Sequence, residues 1–321
     1  MIDLKCGQYI VLGDLMVDEY NYGEVTRISP EAPVPILKHS NKILFPGGAA
    51  NVAMNLKELG NNVELVGILG NDEDGNWLRN YLNKSGIGTQ GIVMASEVST
   101  IKKVRFRTKV QSLLRVDYES LQRQYCSYAA TIIKYIDEFL NNNITDGVLV
   151  SDYNKGMIPD TVENNPYSPF FDKILKKNII CGSDTKKEAE TISLYCGFDF
   201  LKPNKIELSK VIKRTLTSAN LLKRATCEYL MKCKAKAVYL TLGDEGIYYN
   251  NCNSEVFCKA NKTRAVDVTG AGDTVFAVIM NCLRSNMDIE TSLKLANLAA
   301  SIVIQYNGTK TITKSELLRR F

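Results

Sequence analysis

Short, unbroken apolar runs alternate with segments whose apolar positions recur every three or four residues, and the alternation continues through most of the chain. The continuous runs fall at residues 9–13, 63–69, 147–151, 179–183, 198–201 and 237–242. Helical periodicity occupies residues 47–59, 75–85, 125–140, 170–177, 205–213, 219–232, 271–284 and 289–306. Strands that are apolar throughout belong inside a mainly parallel sheet covered by helices on both faces. The expected class is therefore α/β. No internal repeat or low-complexity linker divides the chain, so residues 1–321 read as one domain.

Two stretches break the rhythm. Residues 20–42 contain Ser29-Pro-Glu-Ala-Pro-Val-Pro35 and cannot be helical. Residues 99–117 alternate at period two, placing Lys103, Arg105, Arg107 and Lys109 on one face and Val104, Phe106, Thr108 and Val110 on the other. Both read as strands of a small flap standing off the main sheet, within about residues 15–45 and 99–118. The basic face either meets an anionic substrate or is a solvated edge that discourages aggregation.

Composition narrows the classes. Hydrophobic residues make up 45% and charged residues 23%, which is ordinary for a globular protein and excludes a disordered or fibrous chain. The net charge of +5 comes from 40 basic and 35 acidic residues spread along the chain. No block of like charge suggests a nucleic-acid tail. Phe106 lies opposite the cations rather than among them, which argues against single-stranded RNA. No apolar run approaches a membrane span and no signal-peptide core follows the N-terminus. The nine cysteines form no C-x-x-C pair, so free thiols in a reducing cytoplasm are expected. A Ser-His-Asp triad would have to use His39, the one histidine, which sits in a polar stretch.

The sharpest chemical signal is Asp267-Val-Thr-Gly-Ala-Gly-Asp273, followed at once by an apolar helix. Two glycines permit a tight turn and close approach of a ligand, and a helix start offers free N–H groups and a positive dipole end. That combination suits a transferring phosphoryl group, with Gly270, Ala271 and Gly272 as the anion hole and Asp273 as the base. The bland alternative is a glycine turn with a first-turn acid. A second glycine pair, Gly47 and Gly48, opens a helix carrying Asn51, which suits sugar hydroxyls. Asp14 and Asp18 lie just past a strand's carboxyl end, where open sheets bind ligands. Asn204 and Glu207, three apart at a helix start, suit Mg²⁺ held through water, although a helix cap explains Asn204 equally well. Thr241, Gly243 and Gly246 mark a strand end able to border a nucleotide. The Walker A loop and the protein-kinase motifs are absent.

Together these segments resemble the ribokinase-like (PfkB) family of carbohydrate kinases, whose two glycine signatures they match. The likeness is strongest to the subgroup acting on heptose 7-phosphate in lipopolysaccharide precursor synthesis. It is carried by Gly13-Asp-Leu-Met-Val-Asp18, Arg27-Ile-Ser-Pro-Glu-Ala-Pro-Val-Pro35, residues 46–53, Ser151-Asp-Tyr-Asn-Lys-Gly156 and Gly308-Thr309. The resemblance implies a Rossmann-like three-layer α/β/α core with a β-lid used for homodimerisation. It implies ATP with Mg²⁺, and transfer to the anomeric hydroxyl giving the 1,7-bisphosphate. Asp14, Asp18, Gly47, Gly48, Asn51, Lys103, Arg105, Asp184 and Lys186 fall to the sugar phosphate. Asn204, Glu207, Thr241, Gly243, Gly246 and Asn297 fall to ATP and its metal, and Asp267 with Thr269 to a monovalent cation such as K⁺. Thr185 stands where proline is expected, and residues 164–169 look like a local insertion. Relatives often carry a second, nucleotidyltransferase domain; the kinase step alone is expected here. The competing readings are another PfkB sugar kinase and a non-catalytic sugar-phosphate binder.

Overall fold

The computed structural model describes residues 3–216 and 221–321. Strand β1 (Gln8–Gly13) leads into two long strands, β2 (Leu15–Ile28) and β3 (Pro35–Gly48), then helix α1 (Ala49–Glu58), β4 (Asn62–Gly70), α2 (Glu73–Lys84) and β5 (Ile92–Ala95). A hairpin of β6 (Ile101–Arg107) and β7 (Ser112–Tyr118) precedes α3 (Gln122–Cys126) and α4 (Ala129–Asn142). The alternation resumes with β8 (Gly147–Asp152), α5 (Tyr167–Leu175), β9 (Ile180–Thr185), β10 (Phe200–Leu201), α6 (Lys205–Ile212), α7 (Leu222–Cys233) and β11 (Val238–Thr241). A second hairpin, β12 (Gly246–Asn250) and β13 (Glu255–Lys259), is followed by α8 (Ala271–Arg284), α9 (Ile289–Val303) and α10 (Lys314–Arg320).

The main sheet runs β13-β12-β11-β10-β9-β8-β1-β4-β5. It is parallel from β11 to β5, and only the β12–β13 hairpin adds antiparallel strands at one edge. The pleat of β1 shows how the layers form, since successive side chains point to opposite faces. Tyr9 and Val11 join an apolar layer with α1, α2, α8 and α9, while Ile10 and Leu12 join another with α4, α5 and α7. This is the expected three-layer arrangement. A second sheet, β3-β2-β6-β7, makes the flap from the two stretches that broke the sequence rhythm.

Differences from the sequence expectation are local. The helix expected over 125–140 is two, because the short α3 is tied to the β5–β6 connection by Tyr125 Oη donating to Ser99 O (2.8 Å) and Gln124 Nε2 to Glu97 O (2.9 Å). Helix α5 starts at Tyr167, since the Asn165 side chain accepts from Tyr167 N and Pro169 falls in the first turn, where no N–H is needed. Strand β6 ends at Arg107, and Lys109 lies in the turn closed by Thr108 N donating to Gln111 O, not on the basic face. Of the helix expected over 219–232, residues 219 and 220 lie outside the described residues. All nine cysteines are free thiols. No helix among the described residues is long and apolar enough to cross a membrane.

Gly13 sets the tightest constraint in the core: a Cβ there would lie 2.0 Å from Ser151 O. We expect Gly13→Ala to lose about 3 kcal/mol or to fail to fold, because the obstacle is backbone of the neighbouring strand. Urea unfolding within 0.5 kcal/mol of the parent would contradict this packing.

Candidate active site

The cleft lies at the carboxyl ends of the central strands, where two glycine turns meet. At Gly48 (φ 57°), the N-cap of α1, a Cβ would stand 2.4 Å from Asp14 O. At Gly270 (φ 80°), the N-cap of α8, a Cβ would stand 2.6 Å from Asn51 Nδ2. Bare backbone at both caps lets α1 and α8 start side by side. The contact is completed by Thr274 Oγ1 donating to Asn55 Oδ1 (2.9 Å) and Asn55 Nδ2 donating to Asn51 O (2.8 Å).

This brings Asn51 onto Asp273. Asn51 Nδ2 donates to Asp273 Oδ2 at 2.7 Å, and Tyr153 Oη donates to Oδ1 at 3.0 Å. Asp273 is buried, in the first turn of α8, where the N–H groups lack intrahelical partners. Burial, with the charge of Asp184 second, pushes its carboxyl up to about 6 against the opposing Asn51 and Tyr153 hydrogen bonds and the Lys202 charge. It is thus a carboxylate at neutral pH that takes up a proton readily. Lys202 Nζ pairs with Asp184 Oδ2 (3.0 Å) and lies 3.3 Å from where a Gly272 side chain would begin. Asp184 Oδ1 has no hydrogen-bond partner among the described residues.

A cavity of about 360 Å³ runs from Asp273 past Asp184, Lys186, Lys202 and Asn204 to Thr241, Gly243, Gly246 and Asn297. It adjoins an apolar groove of about 460 Å³ lined by Ala260, Ala265, Val268, Ala271, Ala300 and Ile304. Five of the six residues expected on the ATP side therefore line one cavity, and Glu207 is not among its lining residues. Their roles differ. Gly243 is open, with nothing within 4 Å of an added Cβ, whereas Gly246 is demanded by the β13 backbone, 2.1 Å away at Cys258 O. Asn297 holds that same carbonyl through Nδ2 (2.9 Å).

Four of the expected residues are bonded to the protein itself. Asp14 is buried and is not among the residues lining this cavity; its carboxylate accepts from the N–H groups of Tyr153 (2.8 Å), Lys155 (3.2 Å) and Met157 (3.4 Å). Burial and the neighbouring Asp152 raise its carboxyl to about 7. Asn204 and Glu207 form a reciprocal capping box, Asn204 Oδ1 accepting from Ile206 N and Glu207 N and Glu207 Oε2 accepting from Asn204 N. The other Glu207 oxygen pairs with Lys186, so an incoming metal meets this pair only through water. Asp267, grouped with Thr269 for a monovalent cation, already has one: Arg107 Nη1 lies 2.8 Å from its Oδ2. Burial pushes the Asp267 carboxyl up, but donors from Thr269 and Gly308 outweigh it and hold it below the usual carboxylate range. A further cation there would face the guanidinium, so K⁺ does not fit this arrangement.

On the flap side, Arg105 is paired with Asp18, which packs over Gly47. Lys103 has no ion-pair partner among the described residues, and burial pushes its ammonium down. It lies over the Tyr153 ring, 5.0 Å from the centroid, with Lys186 at 5.2 Å. Tyr153 and Lys202 are the site residues that sequence reasoning did not assign. Both sat in segments singled out for other reasons, and nothing local links either to Asp273.

Comparison with known proteins identifies the family and the fold. The pfkB family carbohydrate kinase pattern matches residues 9–132 and 172–316. The bifunctional protein HldE of Hydrogenovibrio crunogenus is 32% identical over 318 residues, 99% of this chain and 63% of the relative. That of Desulfatibacillum aliphaticivorans is 33% identical over 316 residues, 96% of this chain and 62% of the relative. The chain thus spans less than two thirds of the length of these relatives. Among solved structures, phosphofructokinase-2 from Escherichia coli in complex with potassium matches with a TM-score of 0.75 at 18% identity, covering 98% of this chain and 97% of that one. Arabidopsis thaliana ribokinase complexed with ribose and ATP gives 0.74 at 18%, covering 98% of each chain. The fold is ribokinase-like, and with most of its length matched by the family pattern the chain belongs to the pfkB family of carbohydrate kinases, phosphotransferases that act on sugars.

Proposed function

We propose that this chain transfers the γ-phosphate of ATP to the anomeric hydroxyl of a heptose 7-phosphate, giving the 1,7-bisphosphate as a precursor for lipopolysaccharide. The observation that carries the reading is Asp273, buried at the start of α8 and fixed through both oxygens where cleft and flap meet. In this reading Asp273 accepts the proton as the hydroxyl attacks. The first-turn N–H groups of α8 and Lys202 stabilise charge on the moving phosphoryl. The apolar groove takes the adenine. Asn51 fixes the base, and Asp18, held by Arg105, faces the sugar side.

Mg²⁺ enters with ATP. Asn204 and Glu207 would hold it through water, and bound it would neutralise phosphate charge. Among the described residues no cluster of three metal-ligating side chains could hold it alone. The phosphorylated acceptor is favoured over a plain sugar by Lys103, a half-buried cation that feels Asp18 and Asp117 but has no ion-pair partner among the described residues. The heptose is supported by the Arg27–Pro35 segment, which carries the resemblance to the heptose 7-phosphate subgroup. A location in the cytoplasm, where ATP and sugar phosphates are made, goes with this reading.

ADP release with Mg-ATP should appear with heptose 7-phosphate and not with unphosphorylated heptose, fructose 6-phosphate or ribose. In Lys103→Met the KM for the sugar phosphate should rise at least tenfold while that for ATP holds. Turnover with another sugar would keep the chemistry and discard the heptose; silence across the panel from folded protein would favour a binding protein. Asp273→Asn should lose ~10²–10⁴-fold in kcat. It should also be more stable at pH 7.5. A carboxyl raised from 3.8 to about 6 on folding makes the native state lose stability as pH climbs from about 4 to about 6. The Asn variant escapes that loss, a gain on the order of 1–3 kcal/mol above pH 6 that fades near pH 4. Equal stability of both proteins at every pH would refute the burial argument. The flap leaves Ile28, Val34, Leu114 and Tyr118 exposed, which supports a homodimer through it. Sedimentation of a monomer at micromolar concentration would count against that.

A further inference from the structure

The segment Ser151-Asp-Tyr-Asn-Lys-Gly156 has no part in the reaction as derived so far, yet its tyrosine touches the base. We infer that Tyr153 is a positioning residue for Asp273. Its phenol holds the carboxylate ionised and in one orientation, and its ring is the surface through which the closed flap bears on the base. The inference rests on the assignment of Asp273 above and deepens it.

Three observations converge. Tyr153 Oη donates to Asp273 Oδ1 at 3.0 Å, on the oxygen that Asn51 leaves free. The ring is clamped by two ammonium groups from different elements: Lys103 from β6 of the flap at 5.0 Å and Lys186 from the end of β9 at 5.2 Å. The backbone under the ring is fixed too, since Tyr153 N, Lys155 N and Met157 N all donate to the buried Asp14 carboxylate. A loop residue held by its backbone, its ring and its hydroxyl is placed for a purpose.

The chemistry fits one direction only. Burial, and then the charge of Asp273, push the phenol far above its ordinary range, so Tyr153 is always a donor and never a competing base. A donor on a carboxylate favours the ionised form. The other groups facing Asp273 are Asp184, which opposes ionisation, and Lys202, Asn51 and the ammonium of Lys186, which favour it. Tyr153 therefore offsets part of what burial and Asp184 cost. Lys103 reaches the ring from the flap, so flap and base are one mechanical unit when the cleft is closed.

Tyr153→Phe keeps the ring between the lysines and removes only the hydroxyl. The acid limb of kcat/KM for the sugar should move up by about one pH unit, with the deficit near tenfold at pH 6 and shrinking at pH 8.5, while the KM for ATP stays put. The free enzyme offers the same test without turnover. With [γ-¹³C]aspartate label and the Asp273 signal assigned by its loss in Asp273→Asn, the carboxyl should titrate about one unit higher in Tyr153→Phe than in the parent. Site-specific 3-fluorotyrosine at position 153, a stronger donor, should move it the other way, and covers the case in which the Phe variant folds poorly. A rate loss equal at every pH, or a carboxyl titration unmoved by either replacement, would overturn the inference. If the parent turns over no sugar while the carboxyl still shifts, the substrate assignment fails and this one stands.

Discussion

At the carboxyl end of β1 the chain leaves the middle of the sheet between β4 and β8, and there is no spare volume. Gly13 passes Ser151 O at a distance that excludes any side chain, and the next residue makes every bond it can. Asp14 N donates to Ser151 O (3.1 Å), Asp14 O accepts from Ala49 N (3.0 Å), and the carboxylate accepts three N–H groups of the loop after β8. One residue thus joins the end of β8, the start of α1 and the loop bearing Tyr153. Asn51 and Tyr153, the two donors on Asp273, are both referenced to it. Burying this carboxylate is expensive, as its raised proton affinity shows. The three N–H bonds make it tolerable, and the result is an Asp273 carboxylate held from two sides by elements that share one anchor.

The charges of the site form a second layer of order. Arg105 with Asp18, Arg107 with Asp267, Lys202 with Asp184 and Lys186 with Glu207 each neutralise a buried or half-buried partner. Two of these pairs cross from β6 of the flap, one to its neighbour β2 and one to the loop before α8. Lys103 breaks the pattern. Of the three cations on this face of β6, Arg105 and Arg107 are paired and Lys103 has no ion-pair partner among the described residues, which is the feature the proposed phosphorylated acceptor draws on.

Much of the fold was legible because its signals are local. Continuous apolar runs gave the parallel strands, and period-two patterning gave the flap. The pieces that escaped are those with mixed patterning: β5, the β12–β13 hairpin and α10 are short or half-exposed, and their burial comes from neighbours far away in sequence. The site divides in the same way. Gly270, Gly272 and Asp273 announce a helix-start turn in seven residues, and the cleft does form around them. Asp14 reads as a ligand because acids at strand ends commonly are; that its oxygens also accept three backbone N–H groups is visible only in three dimensions. Asn204 and Glu207 were equally consistent with a cap and a metal shell, and the cap is what the geometry displays. Tyr153 was unreadable in principle, since its partner lies 120 residues away.

The Arg107–Asp267 pair shows how flap and anion loop are coupled without any added ion. Asp267 shapes the turn into α8 by accepting Thr269 N on Oδ1 and Gly308 N on Oδ2, so it fixes the approach to Gly270 from both neighbouring segments. A carboxylate gathering N–H groups in a half-buried place benefits from a positive charge, and here the chain supplies it from β6. The guanidinium belongs to the flap strand, and the same strand carries Lys103 to the Tyr153 ring and Arg105 to Asp18. One strand therefore contacts the turn before α8, the acid over Gly47 and the tyrosine bonded to Asp273. The three cations occupy alternate positions, 103, 105 and 107, because a strand presents every second side chain to the same face. A shift of one residue in the β2–β6 register, where Asp18 faces Lys103 and Tyr20 faces Arg105, would turn all three outward at once.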